Sequence, residues 1–318
     1  MNAGELAVRD AGELVKADAE AALEFMENIR SVATRRAYAS DWRIFTAWAS
    51  ERGITSLPAS PEAVCTFLVS QPELGAKAST LGRRMAAIRL AHTSAGLEPP
   101  TASGVVKTTM KGIRRKIGTK PTQKAPATCE RIMEMASHCP DTLLGYRDRA
   151  ILLLGFAGAF RRSELAALMV ADLEETENGL RVHVRRSKTD QEGAGEVVPI
   201  IRGDRACPVE AVKEWMNAAG ISEGPVFRRM LKGGRVGAER LSPHSIGATV
   251  KCYAELAGYK AAEFGGHSFR AGFATSAAEK GANIFRIMDV TRHRSVETVR
   301  GYVRRAEEFK DHAGAGLL

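Results

Sequence analysis

The chain lacks the marks of several large function classes. Its five cysteines, Cys65, Cys129, Cys139, Cys207 and Cys252, are odd in number and far apart, with no Cys-x-x-Cys pair. That pattern argues against a disulfide framework and against a zinc site, and fits a reducing, cytoplasmic compartment. No Gly-x-x-x-x-Gly-Lys-Ser/Thr loop, His-Glu-x-x-His pair or calcium loop occurs, so no metal and no nucleotide or other cofactor is expected. The longest nearly apolar run, Ala150 to Phe160, is about half of what a bilayer span needs, so no membrane association is expected. The first residues are acidic and alanine-rich rather than basic and then apolar, which argues against a signal peptide.

What is present is an ordinary globular composition with a basic bias. With 318 residues, 44% hydrophobic and 26% charged, the chain can form two compact domains. The formal net charge of +9 admits a polyanionic partner without requiring one. Its distribution says more: residues 1–29 carry two basic and seven acidic side chains, whereas residues 30–118 carry fourteen basic and five acidic.

From about Glu13 to Lys116 apolar residues recur at three- and four-residue spacing, the helical period. Tyr38, Trp42, Phe45 and Ala49 make one stripe. Ser60-Pro61-Glu62 predicts an N-cap with proline at the first helical position, opening a helix through Val69. A further helix is expected from about Lys77 to Ala95, stopped by Gly96, and another from Ser103 to Ile117. Residues 1–118 are therefore expected to form one helical domain and 119–128 a linker, rich in Pro, Thr and Lys, without an apolar period to join a core. Residues 129–318 form the second domain. It is mainly helical, with an apolar stretch from Tyr146 to Leu168 interrupted at Gly155-Phe-Ala-Gly158, and its one β segment is a hairpin or meander of Leu180–Arg186 and Glu196–Ile201. Helices are expected to dominate after Pro208.

Several groups suited to phosphate chemistry lie in this second part. Arg161-Arg-Ser-Glu-Leu follows a glycine-containing turn and places a guanidinium at a helix start; Arg161 rather than Arg162 has Glu at the fourth position. Lys188 lies in the connection of the β segment. His267-Ser-Phe-Arg270 spaces an imidazole and a guanidinium onto one helix face. His293 lies in a turn, Ser295 can cap the next helix, and Tyr302 lies about two turns into it. Each group alone reads equally as a surface ion pair, a solvated loop lysine or a packing tyrosine. His244-Ser-Ile-Gly lacks the paired arginine.

Taken in order, these residues resemble the tyrosine recombinase, or phage integrase, family. Tyr146-Arg-Asp-Arg-Ala-Ile-Leu-Leu-Leu-Gly-Phe-Ala-Gly-Ala-Phe-Arg161-Arg-Ser-Glu-Leu is similar to the family's first signature region. His267-Ser-Phe-Arg270, Arg292-His293-Arg-Ser and Tyr302 nine residues beyond His293 resemble its His-x-x-Arg, His/Trp and Tyr block. The resemblance implies a Cre-like, mainly α protein: a helical core-binding domain and a mixed catalytic domain with a small antiparallel sheet, closing as a C-shaped clamp on DNA. It implies a site-specific recombinase that breaks and rejoins strands through a 3′-phosphotyrosine on Tyr302. Arg161, Arg270 and His293 would contact the phosphate, Lys188 would be general acid, and His267 would assist proton transfer. Arg35, Arg36, Arg83, Arg84 and Arg89 would face the duplex, with Lys111, Arg114 and Arg115 as further DNA contacts; a solvated face is the plain alternative for each. The implied partners are double-stranded DNA with a target site and three further copies of the chain in a tetramer on that DNA, from a monomer in solution. The setting would be a bacterial, phage or plasmid one at the nucleoid. The C-terminal stretch from Ala306 is either a helix donated to a neighbour or a frayed tail. The residue set also leaves open a type IB topoisomerase and a DNA-binding accessory protein without the chemistry.

Overall fold

The computed structural model describes residues 32–119, 124–185, 195–265 and 267–306. The chain divides into two compact units, Met1–Thr122 and Gln123–Leu318. The expected helical stretch before residue 32 and the C-terminal segment after Ala306 lie outside the described residues.

The described residues of the first unit form four helices: α1 (Val32–Ser50), α2 (Pro61–Ser70), α3 (Ala78–Ser94) and α4 (Gly104–Ile117). Ser60 caps α2 by accepting from the Ala63 backbone N–H at 3.2 Å, with Pro61 filling the first helical position. Gly96 and Gly118, at φ of 72° and 77°, turn the chain out of α3 and α4 in the left-handed region that glycine enters without strain. The apolar stripe of α1 delivers Phe45 and Trp48 onto Phe67 of α2, with ring centroids 5.0 and 5.3 Å apart. Leu81 and Ile88 from α3 and Val106, Met110 and Ile113 from α4 complete that core.

The second unit opens with α5 (Cys129–Ser137), α6 (Leu143–Ala157) and the short α7 (Arg162–Ala167). A three-stranded antiparallel sheet follows, β1 (Leu173–Thr176), β2 (Gly179–Val184) and β3 (Glu196–Ile201), with β2 central. Then come α8 (Pro208–Ala218), a hairpin of β4 (Arg228–Met230) and β5 (Val236–Arg240), and α9 (Pro243–Leu256), α10 (Ser268–Glu279), α11 (Ile284–Thr291) and α12 (Val296–Ala306). Helix α6 is apolar around most of its girth and runs through the core, where it packs on α8 and its fully buried Trp215.

Two expectations are corrected. The β4–β5 hairpin interrupts the stretch after Pro208 expected to be helical; its strands carry few β-branched residues, so the turn at Gly233-Gly234, both at positive φ, was its main signal. The segment expected to be a linker also takes part in the second unit from Lys124 onward. Ala125 N–H donates to the Glu263 carbonyl at 2.7 Å, Ala127 N–H to the Ser268 carbonyl at 3.0 Å, and Ala127 is fully buried. It joins the core through backbone bonds and the methyl groups of Ala125 and Ala127, which no apolar period reveals. Among the described residues no helix is long and apolar enough to cross a membrane.

Candidate active site

The site is built around a strained turn between α6 and α7. Ala159, fully buried, has φ of 45°, a conformation rare for a residue with a side chain. That twist turns the carbonyls of Gly158 and Ala159 toward two incoming guanidiniums. Arg270 from α10 donates through Nε to Ala159 O at 3.2 Å. Arg292, just past α11, donates to Gly158 O at 3.0 Å and Ala159 O at 3.4 Å.

The turn then places Arg161 at the N-cap of α7 and Glu164 one turn inside it. The Glu164 carboxylate accepts the Arg161 backbone N–H at 2.9 Å and its guanidinium Nη1 at 2.6 Å. It also accepts from Arg292 Nη2 at 2.7 Å and lies 3.6 Å from Arg270 Nη2. One buried carboxylate thus serves three guanidiniums. Burial opposes its ionisation, but Arg292, the Arg161 N–H and Arg270 outweigh that and hold it below the usual carboxylate range. Arg162 takes no part: its side chain crosses to α9, where a Cβ on Gly247 would stand 2.5 Å from its Nη1.

Arg270 is 2% exposed, and both terminal nitrogens, Nη1 and Nη2, are buried without a hydrogen-bond partner. Burial, with Arg161 and Arg292 adding to it against Glu164, pushes its guanidinium down to about 9. Orphaned buried donors on a cation are costly, and the arrangement suits an anion that would accept from them.

His293 follows Arg292 directly. Its Nδ1 lies 2.7 Å from the Thr291 hydroxyl, which itself donates to the Ile287 carbonyl at 2.7 Å. The hydroxyl has one hydrogen, so its oxygen accepts and Nδ1 carries the proton; in neutral His293 the Nε2 is bare. Burial first, then Arg270, Arg161, Arg292 and His267, lowers its pKa to about 4. The Tyr302 ring on α12 has its centroid 6.2 Å from that of His293. Tyr302 is half-buried against the small core of Ala274, Ala278, Ile287 and Val299. His267 is the exposed N-cap of α10, one helical turn before Arg270. Lys188 lies outside the described residues. His244 sits exposed at the start of α9.

The sequence model of the phage integrase family matches residues 125–308, a span that holds all six of these expected catalytic positions. The chain belongs to the phage integrase family. It is 39% identical over 294 residues to the integrase/recombinase xerD homolog of Selenomonas ruminantium, covering 91% of this chain and 86% of that one. It is 25% identical over 285 residues to the recombinase cre of Escherichia phage P1, covering 82% and 81%. Its fold is shared with a lambda integrase (75–356) dimer bound to a COC′ core site, with TM-score 0.59 at 17% identity over 88% of this chain and 93% of that one.

In this integrase-family chain the sequence order brought together Arg161, Arg270, His293 and Tyr302. Two parts of the cluster were not legible as parts. Glu164 was visible only as the fourth residue of Arg-x-x-Glu, a common surface pair. Arg292 appeared only as a neighbour of His293; nothing in its sequence context shows that its guanidinium is buried.

The expected DNA contacts fall into two groups. Arg35, Arg36, Arg89, Lys111, Arg114 and Arg115 are exposed on α1, α3 and α4. Arg83, half-exposed, and Arg84, largely covered, are both engaged in ion pairs within the unit. Arg83 grips the buried Asp41 carboxylate through Nε at 2.6 Å and Nη2 at 3.1 Å. Arg84, 13% exposed, lies 3.8 Å from the same carboxylate, donates to Gln71 Oε1 and packs over Phe67. Both tie α1 to α3.

Proposed function

We propose that the chain is a site-specific DNA recombinase whose Tyr302 attacks a phosphodiester. The observation that carries this reading is the pair of buried, unpartnered donors on Arg270 beside Arg161, His293 and Tyr302. In the cluster three guanidiniums face the buried Glu164 carboxylate and the half-exposed Glu196 carboxylate beyond it, so positive charge remains in excess. A phosphodiester brings one negative charge, and its five-coordinate transition state two. Excess positive charge therefore stabilises the transition state more than the bound substrate, which is the condition for acceleration.

In the proposed step the Tyr302 oxygen forms a bond to phosphorus, the bond to the 5′ oxygen breaks, and the Tyr302 proton leaves with help from His267. The leaving 5′ oxygen takes a proton from Lys188, the family position for a general acid. The 3′-phosphotyrosine keeps the energy of the broken linkage, so a 5′-hydroxyl from another strand displaces Tyr302 without ATP. Two sites exchanging four strands need four such tyrosines, hence a tetramer on DNA. The exposed cations of the first unit supply affinity for the duplex backbone.

The test is covalent trapping. DNA ends captured by the protein in its native host give the target sequence, and a duplex of that sequence, nicked near the cleavage point, retains the adduct. Tyr302→Phe is expected to abolish the adduct and leave duplex binding intact. An adduct that persists in Tyr302→Phe rejects this nucleophile, and plasmid relaxation without a site pair or any exchanged product rejects the recombinase reading.

A further inference from the structure

Two buried arginines share Glu164, and their donors are in opposite states. Arg270 hydrogen-bonds only through Nε, leaving both terminal nitrogens without a hydrogen bond. Arg292, whose side chain is 3% exposed, has its terminal nitrogens fully engaged. Nη1 donates to Gly158 O at 3.0 Å and Val290 O at 3.1 Å, and Nη2 to Glu164 Oε2 at 2.7 Å and Ala159 O at 3.4 Å. Its Nε lies 3.6 Å from Glu196 Oε2, and its plane sits 5.1 Å over the Phe160 ring. Only Nε is without a hydrogen bond, so no terminal fork is left for a phosphate.

The backbone gives a second indication. Arg292 ends α11 in the left-handed conformation, φ 54° and ψ 43°, which is strained for a residue with a side chain. Such a conformation persists where the surroundings over-determine it. Here the bonds from the guanidinium to the 158–159 carbonyls and to Glu164 do so, and they fix the direction in which His293 leaves the helix.

We infer that Arg292 is a positioning residue: it occupies Glu164 and the 158–159 carbonyls so that the Arg270 fork stays free for the phosphate and His293 starts in place. Without it, the nearest buried cation to Glu164 Oε2 is Arg270, already at 3.6 Å. The carboxylate would draw that fork into a direct ion pair, away from the substrate. The inference rests on the recombinase reading of the same site.

Arg292→Gly tests it, because glycine takes the positive φ without strain and leaves room for a free guanidinium ion. On the nicked duplex built from host-trapped ends, adduct formation is expected to slow about a hundredfold, the scale of a small misplacement of catalytic groups. Duplex affinity should stay near that of the wild type, and millimolar guanidinium chloride should recover a large part of the rate. A wild-type rate in Arg292→Gly, or a slow variant that guanidinium does not rescue, overturns the inference. If Arg292→Gly shows no folding transition, Arg292→Lys replaces it, keeping the charge without the fork: slow cleavage with a wild-type melting temperature supports the role, and a wild-type rate overturns it. If the wild-type protein itself forms no adduct, the recombinase reading fails instead.

Discussion

His293 enters the reaction with the wrong charge for the part its position assigns to it. A donor to a phosphate oxygen needs a proton on Nε2, yet Nδ1–H is spent on Thr291 and the ring is neutral above about 4. Burial and the guanidiniums of Arg270, Arg161 and Arg292 keep it so. A phosphodiester placed among those cations cancels part of their field, which raises the His293 pKa. Above about 4 the free protein lacks this proton, and the complex, with its His293 pKa raised, holds it to a higher pH. Binding of the target duplex should therefore take up a proton in that window and tighten as pH falls through it. Calorimetry in buffers of different ionisation enthalpy measures the uptake, and His293→Gln should lose it; equal uptake in both proteins would sink the idea. Folding responds with the same residue. The unfolded chain binds the proton up to 6.5 and the folded chain only to about 4, so this contribution to stability is present above 6.5 and is lost as pH falls.

At the scale of elements, α10 sets where Arg270 stands, and its seat is Gly272. A Cβ there would lie 1.8 Å from the Ala127 carbonyl oxygen, backbone that is itself bonded to Ser268. Gly272→Ala must push α10 off the 124–128 segment. The expected cost is on the order of 1–3 kcal/mol, the usual range for overpacking, read as a lower denaturant midpoint. An unchanged midpoint would mean that the segment yields freely. The same packing explains what was legible in the sequence. Local chemistry announced itself: Ser60-Pro61 at the start of α2, Gly96 and Gly118 at helix ends, the two-residue alternation of β2. Features whose cause is tertiary did not. Ala127 joins the core by backbone bonds, Ala159 adopts its strained turn because two distant guanidiniums bond the 158–159 carbonyls, and the ion pairs of Arg83 and Arg84 stay hidden because Asp41 lies 42 and 43 positions away in the chain. The order Arg161, His267, Arg270, His293, Tyr302 was legible because it is a pattern of types; the charge balance at Glu164 was not, because it depends on which side chains are buried.

Across the whole molecule the net charge of +9 is divided between cations that hold the protein together and cations available to DNA. The division can be read on α3, where Arg84 is tied to Gln71 and Asp41 while Arg89 is exposed. Each phosphate that a side chain neutralises releases counterions, so on duplex DNA the slope of log K against log salt shrinks by about 0.9 for every phosphate left without its cation. Replacing Arg36, Arg89 and Arg115 together by alanine should reduce that slope by up to about three times this amount, without lowering the melting temperature. Arg84→Ala should do the reverse. It strips a partner from the buried Asp41 and the cover from Phe67, so the first unit should melt earlier while the salt slope, measured below that melting temperature, stays put. Equilibrium binding of the host-derived duplex over a salt series, beside thermal unfolding of the same variants, separates the two kinds of cation. An unchanged slope in the triple variant would move the duplex interface off these three residues, leaving other cations to account for affinity.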